Sequence, residues 1–542
     1  MAAKIERKHA VKKNRCRIAE VWFLMLIISM SDVSQNNKRI AKNTLLLYSR
    51  MFFMMAVSLY TSRVVLNTLG VEDYGIYNVV GGIVAMFSFI NSSMSAATQR
   101  YITFALGKDD KVQLKKVFNT SLIIHGGISI LLILLAETIG LWFLWNKMQV
   151  PVERMEAAFW VYQSSIVASV IMIMSVPYNA AIVAHEKMSA FAYISVLEVV
   201  LKLLIVYLLL VISFDKLIVY ALLIVLVQIF IRLCYSWYCN KYFKETLFTW
   251  ILDRGLIKEM IGFAGWNLFG ACAYIAFTQG LNIILNMFFG PVVNAARAIA
   301  VQVQNAMTQF ISNFQMALNP QIIKSYAAGD LQYMHSLIYR SSKFSYFLIF
   351  SISLPVIIET PFILKVWLNN VPENSAIFLR LMVCTSWISS ISNPLINAAQ
   401  ATGNIRKYQT VIGTMLIMIL PISYLCLKIG FPACSVFIVH LIIECLAQVV
   451  RLFIIKPMIE LSIGEFVKNV ILKIILVSFL TILLPYYVHT AMHGGWLRLV
   501  FVAVASFLSA TFIIGGIGLS TPERKFILTT IRKRMHCKKN LP

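Results

Sequence analysis

Charged residues are scarce in this chain: Asp, Glu, Lys and Arg make up 13% of it and hydrophobic residues 59%, where soluble domains carry roughly a quarter and a half. That balance excludes an ordinary water-soluble protein. Acidic residues are scarcest, 23 against 48 Lys and Arg, so the formal net charge is +25. The nine cysteines, Cys16, Cys234, Cys239, Cys272, Cys384, Cys426, Cys434, Cys445 and Cys537, form no C-x-x-C pair and read as small apolar fillers. The eight histidines form no H-E-x-x-H arrangement, which argues against a metal site. No Walker-type glycine loop and no G-x-S-x-G occurs. A glycan polymerase or membrane glycosyltransferase would need extramembrane loops bearing catalytic acids or bases. The longest connections, 240–257 and 320–337, are too short to hold an independent core. We therefore expect no enzyme, no cofactor and no metal.

What the chain has instead is long apolar runs. A spanning helix needs about 20 mostly apolar residues, and fourteen candidates fit: 44–69, 74–99, 117–144, 158–184, 190–213, 217–240, 257–289, 292–320, 337–365, 376–402, 408–428, 432–456, 467–489 and 496–519. The fold class is thus all-α and polytopic. Lys and Arg collect in alternate loops, 107–116, 240–258, 403–407 and the tail, while "LGVEDYG", "FFGP" and "NNVPENS" have none. By the positive-inside rule the basic loops and both termini are cytoplasmic. The positive charge then calls for anionic membrane lipids as partners, and not for nucleic acid. Residues 1–29 carry "KIERKHAVKKNRCR" and "VWFLMLIISM", a stretch of ten apolar residues too short to span a bilayer. Either it forms a short interfacial helix or the natural chain begins at Met30.

The chain also repeats itself. "SVPYNAAIVAHEK" (175–187) matches "SNPLINAAQATGNIRK" (392–407), "LNTLG" at Leu66 matches "LNMFFG" at Leu285, and "QRYITFALGKDD" at Gln99 matches "QIIKSYAAGDLQ" at Gln321, at offsets of 217 to 222. Spans 1–6 and 7–12 are the two copies. Each holds an even number of spans, so the copies share one orientation about an axis along the membrane normal. The expected organisation is a cytoplasmic lead 1–43, an N-lobe 44–240, a C-lobe 257–456, two appended spans within 467–519 and a basic tail 520–542. Pro177 with Asn179, and Pro394 with Asn397, stand near the ends of spans 4 and 10, where proline bends a helix and N-A-A permits close packing.

A helical projection gathers the polar residues of span 8, including Asn294, Arg297, Gln304, Asn305, Thr308, Ser312, Gln315 and Asn319, within about 100°. Span 2 carries a similar stripe with Tyr77, Asn78 and Asn91. Spans 1 and 7 add Arg50, Arg63 and Asn67, and Asn267, Asn282 and Asn286. Polar stripes do not face hydrocarbon, so they face either a water-filled cavity or a neighbouring helix. An intramembrane arginine costs roughly 2.5–3.5 kcal/mol, and its planar fork matches phosphate oxygens. Arg297, Arg63 and Arg50 are thus the candidate anion contacts, with Arg50 also able to snorkel to the interface. Glu198 and Lys202, four residues apart, are expected to neutralise each other.

The opening "NTLLLYSRMFFMMAVSLYTSRVVLNTLGVEDYGIYNVVGGI", the duplicated P-x-(x)-N-A-A element and the count of twelve plus two spans resemble the polysaccharide transporter branch of the multidrug/oligosaccharidyl-lipid/polysaccharide exporter superfamily, and within it the Wzx-type flippases. The resemblance covers residues 36–520. It implies a V-shaped pair of lobes around a central cavity, and transfer of a polyprenyl-diphosphate-linked oligosaccharide across a bacterial inner membrane for polysaccharide or lipopolysaccharide synthesis. It also implies a proton or sodium gradient as candidate coupling source and glycan polymerase or assembly proteins as candidate partners. The "SR" at Ser49 and Arg50 resembles the lipid II flippases, whose further arginines in the first two spans are not matched here. A cation-coupled multidrug antiporter of the same superfamily is the alternative.

Overall fold

The computed structural model describes residues 35–520 apart from 86–87, 147, 149, 212–213, 252 and 369–370, together with Glu523 and Arg524. The expectations for residues 1–29 and for most of the tail fall outside the described residues, as do the side chains of Arg63 and Asn78. No strand occurs among the described residues. Span 1 and the first part of span 2 lie in Gln35–Ala85, and span 2 continues in Ser88–Gly107. Spans 3 to 8 are Lys111–Asn146, Val152–Ala184, Met188–Leu208, Lys216–Tyr242, Arg254–Phe289 and Pro291–Ala327. Spans 9 to 14 are Leu331–Ile358 with the short Thr360–Trp367, then Ser375–Thr402, Arg406–Lys428, Ser435–Ile459, Ile463–Ala491 and Trp496–Gly518.

Eleven helices of the described residues are apolar and long enough to cross a membrane by composition alone. The three long helices outside that set, Gln35–Ala85, Ser88–Gly107 and Pro291–Ala327, are those of spans 1, 2 and 8, and polar stripes lower the mean hydropathy of spans 2 and 8. A helix of this kind is stable in a bilayer only where protein or water covers its polar side.

The repeat is visible in the backbone. Gly70 between spans 1 and 2 (φ 83°, ψ 168°) and Gly290 between spans 7 and 8 (φ 74°, ψ −170°) share one conformation. Only glycine enters that region readily, since a Cβ would clash with its own backbone. Left-handed turn residues then recur in step: Asp109 with Gly329, and Glu186 with Gly403. Asp110 and Asp330 cap spans 3 and 9 alike, accepting from the amides of Gln113 and Tyr333 at 2.9 and 3.0 Å.

Packing follows the same plan twice. Span 4 lies against spans 2, 3 and 6, and span 10 against spans 8, 9 and 12; span 1 lies against span 5 as span 7 does against span 11. Phe118 and Tyr162 fill the first copy, and Phe277, Phe378 and Phe437 the second. Pro177 and Pro394 are both buried inside uninterrupted helices. Spans 13 and 14 pack on span 9. Ion pairs fix them there, since the enclosed Glu359 meets His489 Nδ1 at 2.7 Å and Arg498 Nε at 2.8 Å, and Lys343 meets Glu523 at 2.9 Å. Span 9 is consequently the most enclosed, 78% of its most apolar window being buried against 33% for span 3.

Candidate functional site

The two copies meet at the end of the bundle that carries the basic loops. The Tyr48 hydroxyl of span 1 donates to the Phe310 carbonyl of span 8 at 2.9 Å, and Phe52 and Phe310 stack edge to face at 5.6 Å. A Cβ on Gly107 would come 2.7 Å from the Ala327 Cβ, so the ends of spans 2 and 8 touch through their backbones. Two polar latches reinforce the contact and stand in equivalent places. Arg100 at the end of span 2 donates to the Ala401 carbonyl beside Gly403, at 3.0 Å. Gln321 and Lys324 at the end of span 8 reach the buried Glu186 carboxylate, each at 2.7 Å. Asn43 donates to the Glu186 carbonyl at 3.1 Å, and Tyr101 to Glu259 at 3.0 Å.

From the level of Phe310 toward the opposite end the polar helices leave side chains exposed. On span 8 these are Gln302, Asn305, Gln309 and Ser312, which fall within about 80° of helix arc. Gln279 and Asn286 of span 7, and Tyr60 and Asn67 of span 1, are exposed as well. Tyr60 shares a hydrogen bond with Tyr207 at 2.7 Å. A row of amides at such spacing is incompatible with lipid tails, and this face adjoins the Phe310 side that touches the first copy. It is a polar face left uncovered by the described helices.

The other edge of the same stripe, about 110° away, is tied to neighbouring helices. Gln304 donates to the Ser386 hydroxyl at 2.7 Å and to the Met382 carbonyl at 3.1 Å. Gln315, 5% exposed, donates to Ser345 at 3.0 Å and accepts from Asn393 at 3.1 Å. Asn319 accepts from Asn397 at 2.9 Å. Asn267 accepts from Gln409 at 2.9 Å. These are struts between the helices of the second copy. Thr308 bonds to the Asn305 carbonyl of its own helix at 3.1 Å.

Arg297 is a strut as well. Its side chain is buried, its guanidinium donates to the Thr278 carbonyl at 2.8 Å and to Asn282 Oδ1, and Asn282 is further tied to Gln279 at 3.1 Å. Spans 7 and 8 thus hold Arg297 through its two terminal nitrogens, while its buried Nε has no hydrogen-bond partner among the described residues. Arg50 turns into the first copy, over the Phe191 ring at 4.5 Å from its centroid, within the field of Glu198. Glu198 and Lys202 do neutralise each other, at 2.6 Å, and Gln228 adds a third contact at 3.2 Å. Tyr77 stacks on Tyr220 at 5.0 Å inside the first copy. Asn91 and Asn179 are half-buried, with no hydrogen-bond partner for their carbonyl oxygens among the described residues.

Gln302 and Gln309 lie about 40–60° beyond the arc that gathers the other polar residues of span 8, and a stripe does not reveal which edge its neighbours cover. Arg451 was missed by the sequence reading, although its separation from the intramembrane Arg232 matches the repeat offset. Arg451 of span 12 donates to the Tyr408 hydroxyl at 2.8 Å, to Gln448 at 2.8 Å and to Ser392 at 2.5 Å, and faces Glu444 at 3.8 Å. Arg232 of span 6 lies over the Tyr178 ring at 4.0 Å. Among the described residues no cluster of three metal-ligating side chains occurs.

No protein-family model and no characterised relative matches the sequence. Solved structures do. The fold is similar to that of MATE in the bent conformation (TM-score 0.67, 16% identity, 81% of this chain and 97% of that one). It is also similar to an outward-facing multidrug resistance MATE family transporter of the MOP superfamily (0.66, 14%, 81% and 98%). A MOP superfamily transporter from Pyrococcus furiosus, described as having a binding pocket of reverse polarity, scores 0.64 at 15% identity over 81% of this chain and 98% of its own. At these identities the likeness establishes the fold: the chain is an all-α, multi-pass protein with the architecture of MATE transporters.

Proposed function

We propose that this chain is a membrane transporter working by alternating access without covalent chemistry, and that its cargo is a polyprenyl-diphosphate-linked oligosaccharide crossing a bacterial inner membrane. One observation carries the reading: the exposed face made by Gln302, Asn305, Gln309 and Ser312, with Gln279 and Asn286 beside it, offers neutral donors and acceptors. Such groups pair with sugar hydroxyls. With the basic end in the cytoplasm, the contact between the copies seals the cytoplasmic side and the amide face opens outward. Breaking the two latches and closing the opposite end would deliver the same face to the cytoplasm. Because Arg50 and Arg297 are engaged within their copies, Arg63 of span 1 is the arginine to test as the diphosphate contact.

A cation-coupled multidrug antiporter is the second reading, and similarity to a multidrug MATE structure favours it. A cationic drug calls for carboxylates in the cavity wall, however, and spans 1, 2, 7 and 8 hold only Glu259, at the basic end and bonded to Tyr101. The two readings separate in proteoliposomes offered a fluorescent polyprenyl-diphosphate oligosaccharide in one arm and a cationic dye in the other. We expect the glycolipid to change leaflet and the dye to stay, with Asn305→Leu and Gln309→Leu abolishing the first signal. Dye movement with an immobile glycolipid would replace our reading by the second. Collapsing a proton or a sodium gradient in the same vesicles identifies the coupling ion, and co-purification identifies any polymerase or assembly partner.

A further inference from the structure

A second polar cavity lies at the basic end, outside the space between the copies. Spans 9 and 13, with Ser520 and Glu523, flank an open recess of about 340 Å³. On span 9 its wall is a continuous helical face, Gln332, His335, Ser336, Tyr339, Arg340 and Lys343; on span 13 Glu465, Asn469 and Lys473 recur every four residues; Ser520 and Glu523 complete it.

The charges in this cavity do not balance. Glu523 has a full set of contacts, from Lys343 at 2.9 Å, the Ser520 amide at 2.7 Å and Arg340 Nε at 3.6 Å. Glu465 accepts from Tyr339 at 3.4 Å, and His335 bonds to the Ile459 carbonyl at 2.7 Å. That leaves two carboxylates against Arg340, Lys343 and Lys473. Lys473 is half-buried and makes no ion pair with the described residues of the cavity. It lies about two turns inside span 13, where an unneutralised ammonium is costly. The unused donors are the Lys473 ammonium, the outer guanidinium nitrogens of Arg340 and the amides of Gln332 and Asn469. They converge on one space large enough for a tetrahedral oxyanion with a substituent.

We propose that this cavity binds a phosphate anion, and that the source is the phosphodiester headgroup of an anionic lipid entering between spans 9 and 13. The position supports the source, because it lies where the basic loops mark the membrane surface, and basic recesses between helices at that level suit anionic headgroups. Binding there would clamp the appended spans to the second copy at the end opposite the Glu359 cluster. The proposal is independent of the cargo.

The test uses the full-length protein in neutral detergent, stripped of lipid, with retained lipid read by native mass spectrometry and thermal stability read alongside. Phosphatidylglycerol should bind and raise the melting temperature, while phosphatidylcholine should not. Lys473→Gln should weaken phosphatidylglycerol binding roughly tenfold or more, the loss of one charge-assisted contact. Lys473→Arg should retain it. Lys241→Gln, at an exposed lysine of the same end beside Trp237, should bind as the parent does. Millimolar inorganic phosphate that stabilises the parent but not Lys473→Gln would keep the site and assign it to a soluble anion. Equal weakening by Lys241→Gln, or undiminished binding by Lys473→Gln, would overturn the proposal.

Discussion

The two copies share their turns and their packing plan but differ in what holds their polar groups. In the second copy Arg451 is braced by Tyr408, Ser392 and Gln448, and Asn397 is tied to Asn319. In the first copy Arg232 rests on the face of Tyr178, and Asn179 keeps a carbonyl oxygen without a partner among the described residues. The latches differ in the same way: where one copy presents Gly403 and a backbone carbonyl to Arg100, the other presents the buried carboxylate of Glu186 to Lys324 and Gln321. Duplication preserved the backbone. The side chains then diverged, leaving the second copy cross-braced by hydrogen bonds and one of the two latches ionic.

The ionic latch is where the comparison breaks most visibly. Replacing Lys324 by Met removes the ionic partner of the buried Glu186 and leaves its Gln321 hydrogen bonds, a loss of at most about 3–5 kcal/mol to the closed state. Distances between spin labels placed on spans 2 and 8 at the basic end should lengthen and broaden. The double variant Glu186→Gln with Lys324→Met removes the stranded charge and should recover most of the closed distance. An unchanged distance in Lys324→Met alone would mean that the aromatic contact at Phe310 carries the closure.

Next in size is the arginine pair. Arg451→Leu strands Glu444 and orphans three partners, and should lower stability in detergent by about 3–5 kcal/mol. Arg232→Leu forfeits a ring contact of about 0.5–2 kcal/mol. Thermal unfolding of the two variants measures the asymmetry directly, and equal losses would erase the distinction between a braced copy and an unbraced one.

Within span 8 the same contrast runs across one helix. Gln304→Leu and Gln315→Leu remove interhelical hydrogen bonds worth about 0.6 to 2 kcal/mol each, so unfolding temperature should fall. Arg297→Ala belongs with them, losing its ties to Thr278 and Asn282. Gln302→Leu and Gln309→Leu should instead leave unfolding unchanged and reduce transport. Transport loss without instability in Gln304→Leu would return that residue to the cavity.

The smallest effect is one of pH, at the end away from the latches. Arg154 joins Asp73 and Asp215, each at 2.5 Å, a triad of the first copy. Burial pushes the Asp215 carboxyl up, but the Arg154 hydrogen bond and the amides of Ile218 and Leu217 outweigh it and hold the group below the usual carboxylate range. A depressed carboxyl stabilises the fold above its unfolded value, near pH 4, and that contribution is lost as pH falls through the folded value. Stability of the parent should therefore decline more between pH 5 and pH 3 than that of Asp215→Asn, with partial exposure keeping the difference small.

By itself the amino-acid order determined the class, the fourteen helices, the doubled plan with its appended pair, and the neutral Glu198–Lys202 couple. All of these rest on local causes: apolar length, i,i+4 spacing and turn residues such as Gly70 and Gly290 whose conformation needs no distant partner. Rotation of each helix about its axis is different, because it is set by neighbours far along the chain. Only the packing of span 10 against span 8 decided that Gln304 and Gln315 are struts and that Asn305 and Ser312 are exposed. Only the pairing of spans 7 and 8 tied Arg297 to Thr278 and Asn282. The meeting of Glu186 with Lys324, and the gathering of Arg340 and Lys473 around one cavity, likewise join residues that lie 138 and 133 positions apart in the chain, a proximity that no local pattern encodes.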